Sequence, residues 1–193
     1  MIPCEDEQIT NILSNSMLSE YYIKLAEDMN VLAPKKPEEV IKEHLEDRRG
    51  AEKIDSALNN LSWTYINAFV NVGTGQDALM QKTDDPWIRN VKDDGIIAAT
   101  ASLGFVYLWD INGCSSVISD YLELKDGFAK AGACIGIGLA NSGVWSDVDP
   151  AKALLEESLE SKENSVKMGA TMGLGLAYAG TAREDFLESI CPI

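Results

Sequence analysis

Histidine is almost absent from this 193-residue chain, basic residues are scarce, and no long apolar run occurs. The single histidine, His44, stands in Ile41-Lys42-Glu43-His44-Leu45-Glu46, which reads as a surface helix without clustered metal-ligating partners. A metal site has no support there, and a Ser-His-Asp triad would lack a nucleophile motif. Cys4, Cys114, Cys134 and Cys191 lie far apart and form none of the close pairs of a zinc site or redox motif, so they read as ordinary thiols. Sixteen lysines and arginines against 31 acids leave a formal charge of −15, which argues against binding a nucleic-acid phosphate backbone. Such a surface instead keeps a large assembly soluble or steers encounters with basic protein surfaces. No stretch reaches the roughly 18 apolar residues that a membrane span needs. The most apolar, 131–143, is broken by glycines and Asn141. Met1 to Glu7 lack the basic start and apolar centre of a secretory signal, and neither end carries a lipidation pattern, so a soluble intracellular protein is expected.

What the chain does have is an internal period. Lys130-Ala131-Gly132-Ala133-Cys134-Ile135-Gly136-Ile137-Gly138-Leu139-Ala140-Asn141-Ser142-Gly143 lies over residues 167–180 without a gap, eight of fourteen positions being identical at a spacing of 37. A more worn copy, Ala101-Ser102-Leu103-Gly104, matches Ala133 to Gly136 at a spacing of 32, with Trp109 where small residues would follow. Leu61 to Gly73 reads as a degenerate fourth unit with bulky residues in place of small ones.

Each copy runs from an apolar, glycine-rich segment through a turn at Gly143 or Gly180 into a charged segment. The spacing predicts a helix for the second half: Asp149 as cap, Pro150 in the first helical position, and Ala151, Leu154, Leu155 and Leu159 on one face. The glycine-rich half is harder, because each interior glycine costs about 1 kcal/mol relative to alanine. Gly132 and Gly136, like Gly169 and Gly173, fall on one helical face, where missing side chains let a neighbouring helix approach closely. A phosphate-cradling loop does not fit, since neither copy has the lysine and hydroxyl residue that close one, and no cofactor is expected.

Upstream, Ile9, Ile12, Leu13, Met17, Leu18, Tyr22 and Leu25 predict two short helices interrupted around Ser14-Asn15-Ser16. Pro34 to Pro37 breaks the chain, a helix from Pro37 through Leu45 follows, and Glu46 to Lys53 reads as a loop. Turns are expected at 72–77 and 83–86. The predicted fold is all-α, an α-solenoid of helix-turn-helix units over 56–193, led by a helical segment over 1–55. The tryptophans Trp63, Trp87, Trp109 and Trp145 are expected as core anchors, with Trp145 an interface anchor if exposed.

The pattern Gly-Ala-x-x-Gly-x-Gly-Leu-Ala-x-x-Gly followed by an acidic helix resembles the proteasome/cyclosome repeat family. Phe69-Val70-Asn71, Gly75 to Met80, Leu108-Trp109-Asp110, Asn141-Ser142-Gly143-Val144, Asp149-Pro150-Ala151 and Arg183-Glu184-Asp185 extend the likeness beyond the repeat, to the scaffold subunits of the proteasome regulatory particle. The resemblance implies part of a toroid and a non-catalytic platform in cytoplasm and nucleus. Its implied partners are ubiquitin, ubiquitin-like domains of shuttle factors, a ubiquitin-specific protease and the proteasomal ATPase subunits. It also implies acidic receptor side chains on neighbouring helices. Acids near the repeat turns and on the solvated face of the second helices are the candidates: Asp147, Asp149, Glu156, Glu157, Glu160, Glu163, Glu184, Asp185 and Glu188. A purely structural spacer is the main alternative, and an unrecognised enzyme a third reading that would need His44 gathered with a carboxylate and a nucleophile.

Overall fold

A computed structural model describes residues 7–15, 17–40, 56–77, 79–80 and 86–190. Backbone contacts divide the chain into two compact units, Met1–Ala33 and Pro34–Ile193. The expected boundary at 55/56, the loop at 46–53, His44, Cys4, Cys191 and most of the turn at 83–86 lie outside the described residues.

The first unit contains α1 (Glu7–Ser14) and α2 (Leu18–Asp28), the two helices that the apolar spacing predicts. Asn15 separates them at φ +55°, a left-handed position that asparagine tolerates better than most residues. Ile9, Ile12, Leu13 and Tyr22 are exposed.

The second unit contains α3 (Pro37–Val40), α4 (Ser56–Val70), α5 (Pro86–Asn90), α6 (Asp94–Val106), α7 (Ile111–Leu122), α8 (Gly127–Ala140), α9 (Pro150–Leu159), α10 (Asn164–Ala177) and α11 (Glu184–Ile190). No strand occurs among the described residues. The glycine-rich halves are the helices α6, α8 and α10, which lie side by side in that order with α4 beside α6. The charged halves are α7 and α9, forming a second layer over them, so the unit is an α-solenoid. Leu103, Ile118, Tyr121, Ile137 and Leu155 are fully buried between the two layers.

Glycine permits the close stacking on both sides of α8. A Cβ on Gly104 would sit 2.7 Å from Gly136 Cα, and one on Gly138 2.5 Å from Gly173 Cα. Gly169 would likewise bring a Cβ to 2.7 Å from Ala131 Cα. These neighbours are main chain, so α6, α8 and α10 meet backbone to backbone, and the contact offsets the helical cost of glycine. On the far side of α10, Gly175 faces open space.

The degenerate unit, α4, carries asparagines instead. Asn71 is fully buried; its Nδ2 donates to Asn67 Oδ1 and to Lys35 O, both at 2.9 Å, and its Oδ1 accepts from the Lys35 N–H at 2.6 Å. Asn67 Nδ2 donates to Asp77 Oδ1 at 2.6 Å. Two flanking loops are fixed by this polar chain rather than by apolar contact.

Aspartates cap two of the helices, but not the one where the sequence predicts it. Asp110 accepts from the Gly113 N–H at 3.0 Å to cap α7, and Asp126 accepts from the Phe128 N–H at 2.8 Å to cap α8. Asp149, expected to cap α9, does not: its side chain makes no cap hydrogen bond, and its backbone is left-handed at φ +43°. Its carboxylate is drawn away by Arg183, 34 residues later.

Candidate docking surface

Each glycine-rich helix ends on the same edge of the stack, and two of the turns there are stitched to the next helix by backbone hydrogen bonds. The Gly73 and Gly75 N–H groups donate to Phe105 O at 3.0 Å and Val106 O at 2.9 Å, and the Trp109 N–H donates to Ala140 O at 3.0 Å. These two turns therefore satisfy carbonyls at the ends of α6 and α8. The turns need positive φ, and Gly73, Gly143 and Gly180 supply it at +70°, +74° and +78°. Trp109 adopts +68° without being glycine, held by that backbone bond and by its indole N–H donating to Ser142 O at 3.1 Å.

Trp109 corrects the expectation of a core anchor, and Trp145 takes the exposed alternative. Trp109 is 69% exposed and Trp145 84%, with Val148 beside it at 81%. Trp63 and Trp87 are half-buried and stack at 6.4 Å, the Trp87 indole N–H donating to Thr64 Oγ1 at 3.1 Å. The sequence signal for Trp109 lies in its position, since it occupies the turn where later copies place glycine.

Beside Trp145 opens a cleft of about 220 Å³ whose lining includes Asp147, Asp149, Tyr178 and Arg183. Arg183 forms its clasp. The guanidinium donates to both carboxylate oxygens of Asp149 at 2.9–3.0 Å and to both of Asp185 at 2.7–2.9 Å. It also lies 4.5 Å from the Phe186 ring centroid, and Phe186 stacks on Tyr178 at 4.1 Å. Lys152 adds an ammonium 3.8 Å from Asp185 and 5.2 Å from the Phe186 centroid. The Arg183 hydrogen bonds hold the carboxyls of Asp149 and Asp185 below the usual range and raise the guanidinium pKa. Arg183 is the residue that sequence reasoning missed as an organiser, although its Arg-Glu-Asp triplet was visible.

The nine candidate acids fall into separate groups. Asp147 is exposed on the turn edge, Glu184 is exposed at the start of α11, and Asp149 and Asp185 are engaged by Arg183. Glu156 and Glu157 are exposed on α9. Glu160 and Glu163 are exposed in the connection from α9 to α10, about 15 Å from the turn edge by the length of α9. The Glu188 side chain lies outside the described part. Among the described residues no cluster of histidine, cysteine and acids fits a metal ion, and no helix is long and apolar enough to cross a membrane. Cys114 and Cys134 are buried free thiols, and burial pushes Cys114 up to about 12.

A second surface is apolar. Tyr65, Ile97, Phe105, Ile135, Leu139, Met168 and Met172 line a groove of about 380 Å³ that runs across α4, α6, α8 and α10.

Comparison with known proteins gives a consistent result. The family model described as the RPN1 N-terminal domain matches residues 3–46. The chain is 46% identical to the 26S proteasome regulatory subunit rpn1 of Schizosaccharomyces pombe, over 97% of this chain and 22% of that protein. It is 40% identical to the 26S proteasome non-ATPase regulatory subunit 2 of Dictyostelium discoideum, over 96% of this chain and 21% of that protein. A third relative, the 26S proteasome non-ATPase regulatory subunit 2 homolog B of Arabidopsis thaliana, is 40% identical over 77% of this chain and 18% of its own length. The chain thus spans about a fifth of the length of these curated relatives.

Proposed function

The chain belongs to the family of the 26S proteasome regulatory subunit Rpn1, or non-ATPase regulatory subunit 2, and from that premise we propose that it is a non-catalytic docking segment of the regulatory particle. In this reading residues 56–193 are part of a toroid that receives ubiquitin or the ubiquitin-like domains of shuttle factors, and a ubiquitin-specific protease. Residues 1–55 lead into it, and the proteasomal ATPase subunits hold it in place. Its setting is the cytoplasm and nucleus.

The observation that carries this reading is the exposure of Asp147, Glu156, Glu157, Glu160, Glu163 and Glu184 on the helical stack of a chain whose net charge is −15. Such a surface attracts a basic partner at long range. A heteronuclear NMR titration of the labelled chain with ubiquitin and with a shuttle-factor ubiquitin-like domain, at low and moderate salt, tests it. Shifts clustered on these acids, and weakened by salt, are expected. No shift with either ligand would overturn the docking reading and leave that of a spacer.

A further inference from the structure

Building on the docking reading, we infer that the turn edge carried by Trp109, Trp145 and Val148 is a protein-docking surface whose partner presents an apolar centre ringed by lysine and arginine. The edge combines three observations. First, its apolar side chains face solvent: Trp145 is 84% exposed, Val148 81% and Trp109 69%. An indole with so little cover forgoes most of the contacts a tryptophan makes in a core, whereas tryptophan is a side chain that interfaces favour as an anchor.

Second, the edge is fixed before any partner arrives. Trp109 holds a left-handed backbone at φ +68° through bonds from its N–H to Ala140 O and from its indole to Ser142 O, which lays it against the start of the 142–149 turn. The far end of that turn is clasped by Arg183 on Asp149 at 2.9 Å. Trp145 and Val148 lie between these two fastenings, so little ordering entropy remains to be lost on binding.

Third, the charge around the apolar residues has one sign in excess. Asp110 and Asp147 are exposed on the edge, while the nearby cations are engaged, Arg183 by Asp149 and Asp185 and Lys152 by Asp185 at 3.8 Å. An anionic lipid surface or a nucleic acid would meet repulsion, whereas a basic-rimmed apolar patch on a folded protein would meet complementary charge. The cleft of about 220 Å³ beside Trp145 has room for one or two side chains of such a partner.

The test uses the 193-residue chain with ubiquitin and a shuttle-factor ubiquitin-like domain as probes, reading indole N–H signals and affinity for the wild type, Trp145→Ala and Val148→Ser. Both substituted side chains are exposed, so melting should be unchanged. The expected result is movement of the Trp109 and Trp145 indole signals with that of Trp87 unmoved, and about ten-fold or greater loss of affinity in each variant. Binding of wild type and both variants with equal affinity would overturn this surface while leaving the docking reading intact. Failure of the wild type to bind either probe would overturn both.

Discussion

Replacing Gly104 with alanine and Gly175 with alanine adds the same methyl group to two helices of one stack, and the two changes should move stability in opposite directions. In a helix interior the substitution is worth about 1 kcal/mol in favour of alanine. At Gly175 nothing lies within 4 Å of the new Cβ, so that gain should appear nearly whole, at about 0.5–1 kcal/mol. At Gly104 the new carbon would lie 2.7 Å from Gly136 Cα, where carbon atoms pack best at about 3.5–4.0 Å. No side chain can rotate away, so α6 and α8 must part by about 1 Å along much of their contact. Overpacking of this kind costs about 1–3 kcal/mol, and an obstacle of main chain puts this site at the upper end, at about 2–3 kcal/mol, which outweighs the propensity gain and leaves a net loss of about 1–2 kcal/mol. Urea unfolding followed by far-ultraviolet circular dichroism measures both variants against the wild type. A Gly104→Ala protein as stable as Gly175→Ala would refute the argument that glycine is required for backbone contact.

Three further outcomes are expected. Asn71→Ala should destabilise the chain by about 1–3 kcal/mol, because it strands the Lys35 backbone groups and the Asn67 carbonyl; a change under about 0.5 kcal/mol in urea unfolding would show that the network is dispensable. Asp149 and Asp185 have carboxyl pKa values lowered by Arg183, so their contribution is present above the unfolded-state value of about 3.9 and is lost as pH falls through the depressed folded value. Carboxyl-carbon NMR titrations should place both midpoints below that value and move them back up in Arg183→Ala; midpoints indifferent to Arg183 would dissolve the clasp. Cys114, pushed up to about 12 by burial and then by Asp110, should carry on the order of a thousand-fold less thiolate at pH 8 than in urea. Equal alkylation rates in native and unfolded protein would contradict its burial.

Much of the repeat architecture is legible because one physical signal recurs. Gly132, Gly136, Gly169 and Gly173 fall at helical spacing twice, and a helix lined with glycine needs a close neighbour. Pro150 and the run Ala151, Leu155 and Leu159 announce the returning helix α9 in the same way. Less legible are the interactions that join one copy to another through side chains. Nothing local distinguishes an aspartate that caps a helix from one taken by an arginine 34 residues away, so Asp149 reads as a cap and serves as an anchor for Arg183. Trp109 reads as core on hydrophobicity, yet sits in a turn stitched to Ala140 and Ser142, where its ring has nowhere to be buried. The acids show the same limit: helical spacing places Glu156 and Glu157 on one exposed face, but it does not reveal that Glu163 stands the length of α9 away from Asp147.

The glycine contacts have a mechanical consequence. Where helices meet through side chains, a displacement can be absorbed by rotamers that shift in the layer between them. Between α6, α8 and α10 there is little such layer at Gly104, Gly136, Gly138 and Gly173, because main chain rests on main chain. A push on the turn at 142–149 therefore moves α8 as a rod and carries α6 and α10 with it, since close-packed interiors transmit strain with little compliance. The stack behaves as a stiff lever: a load taken up at one helix reaches the next nearly undiminished.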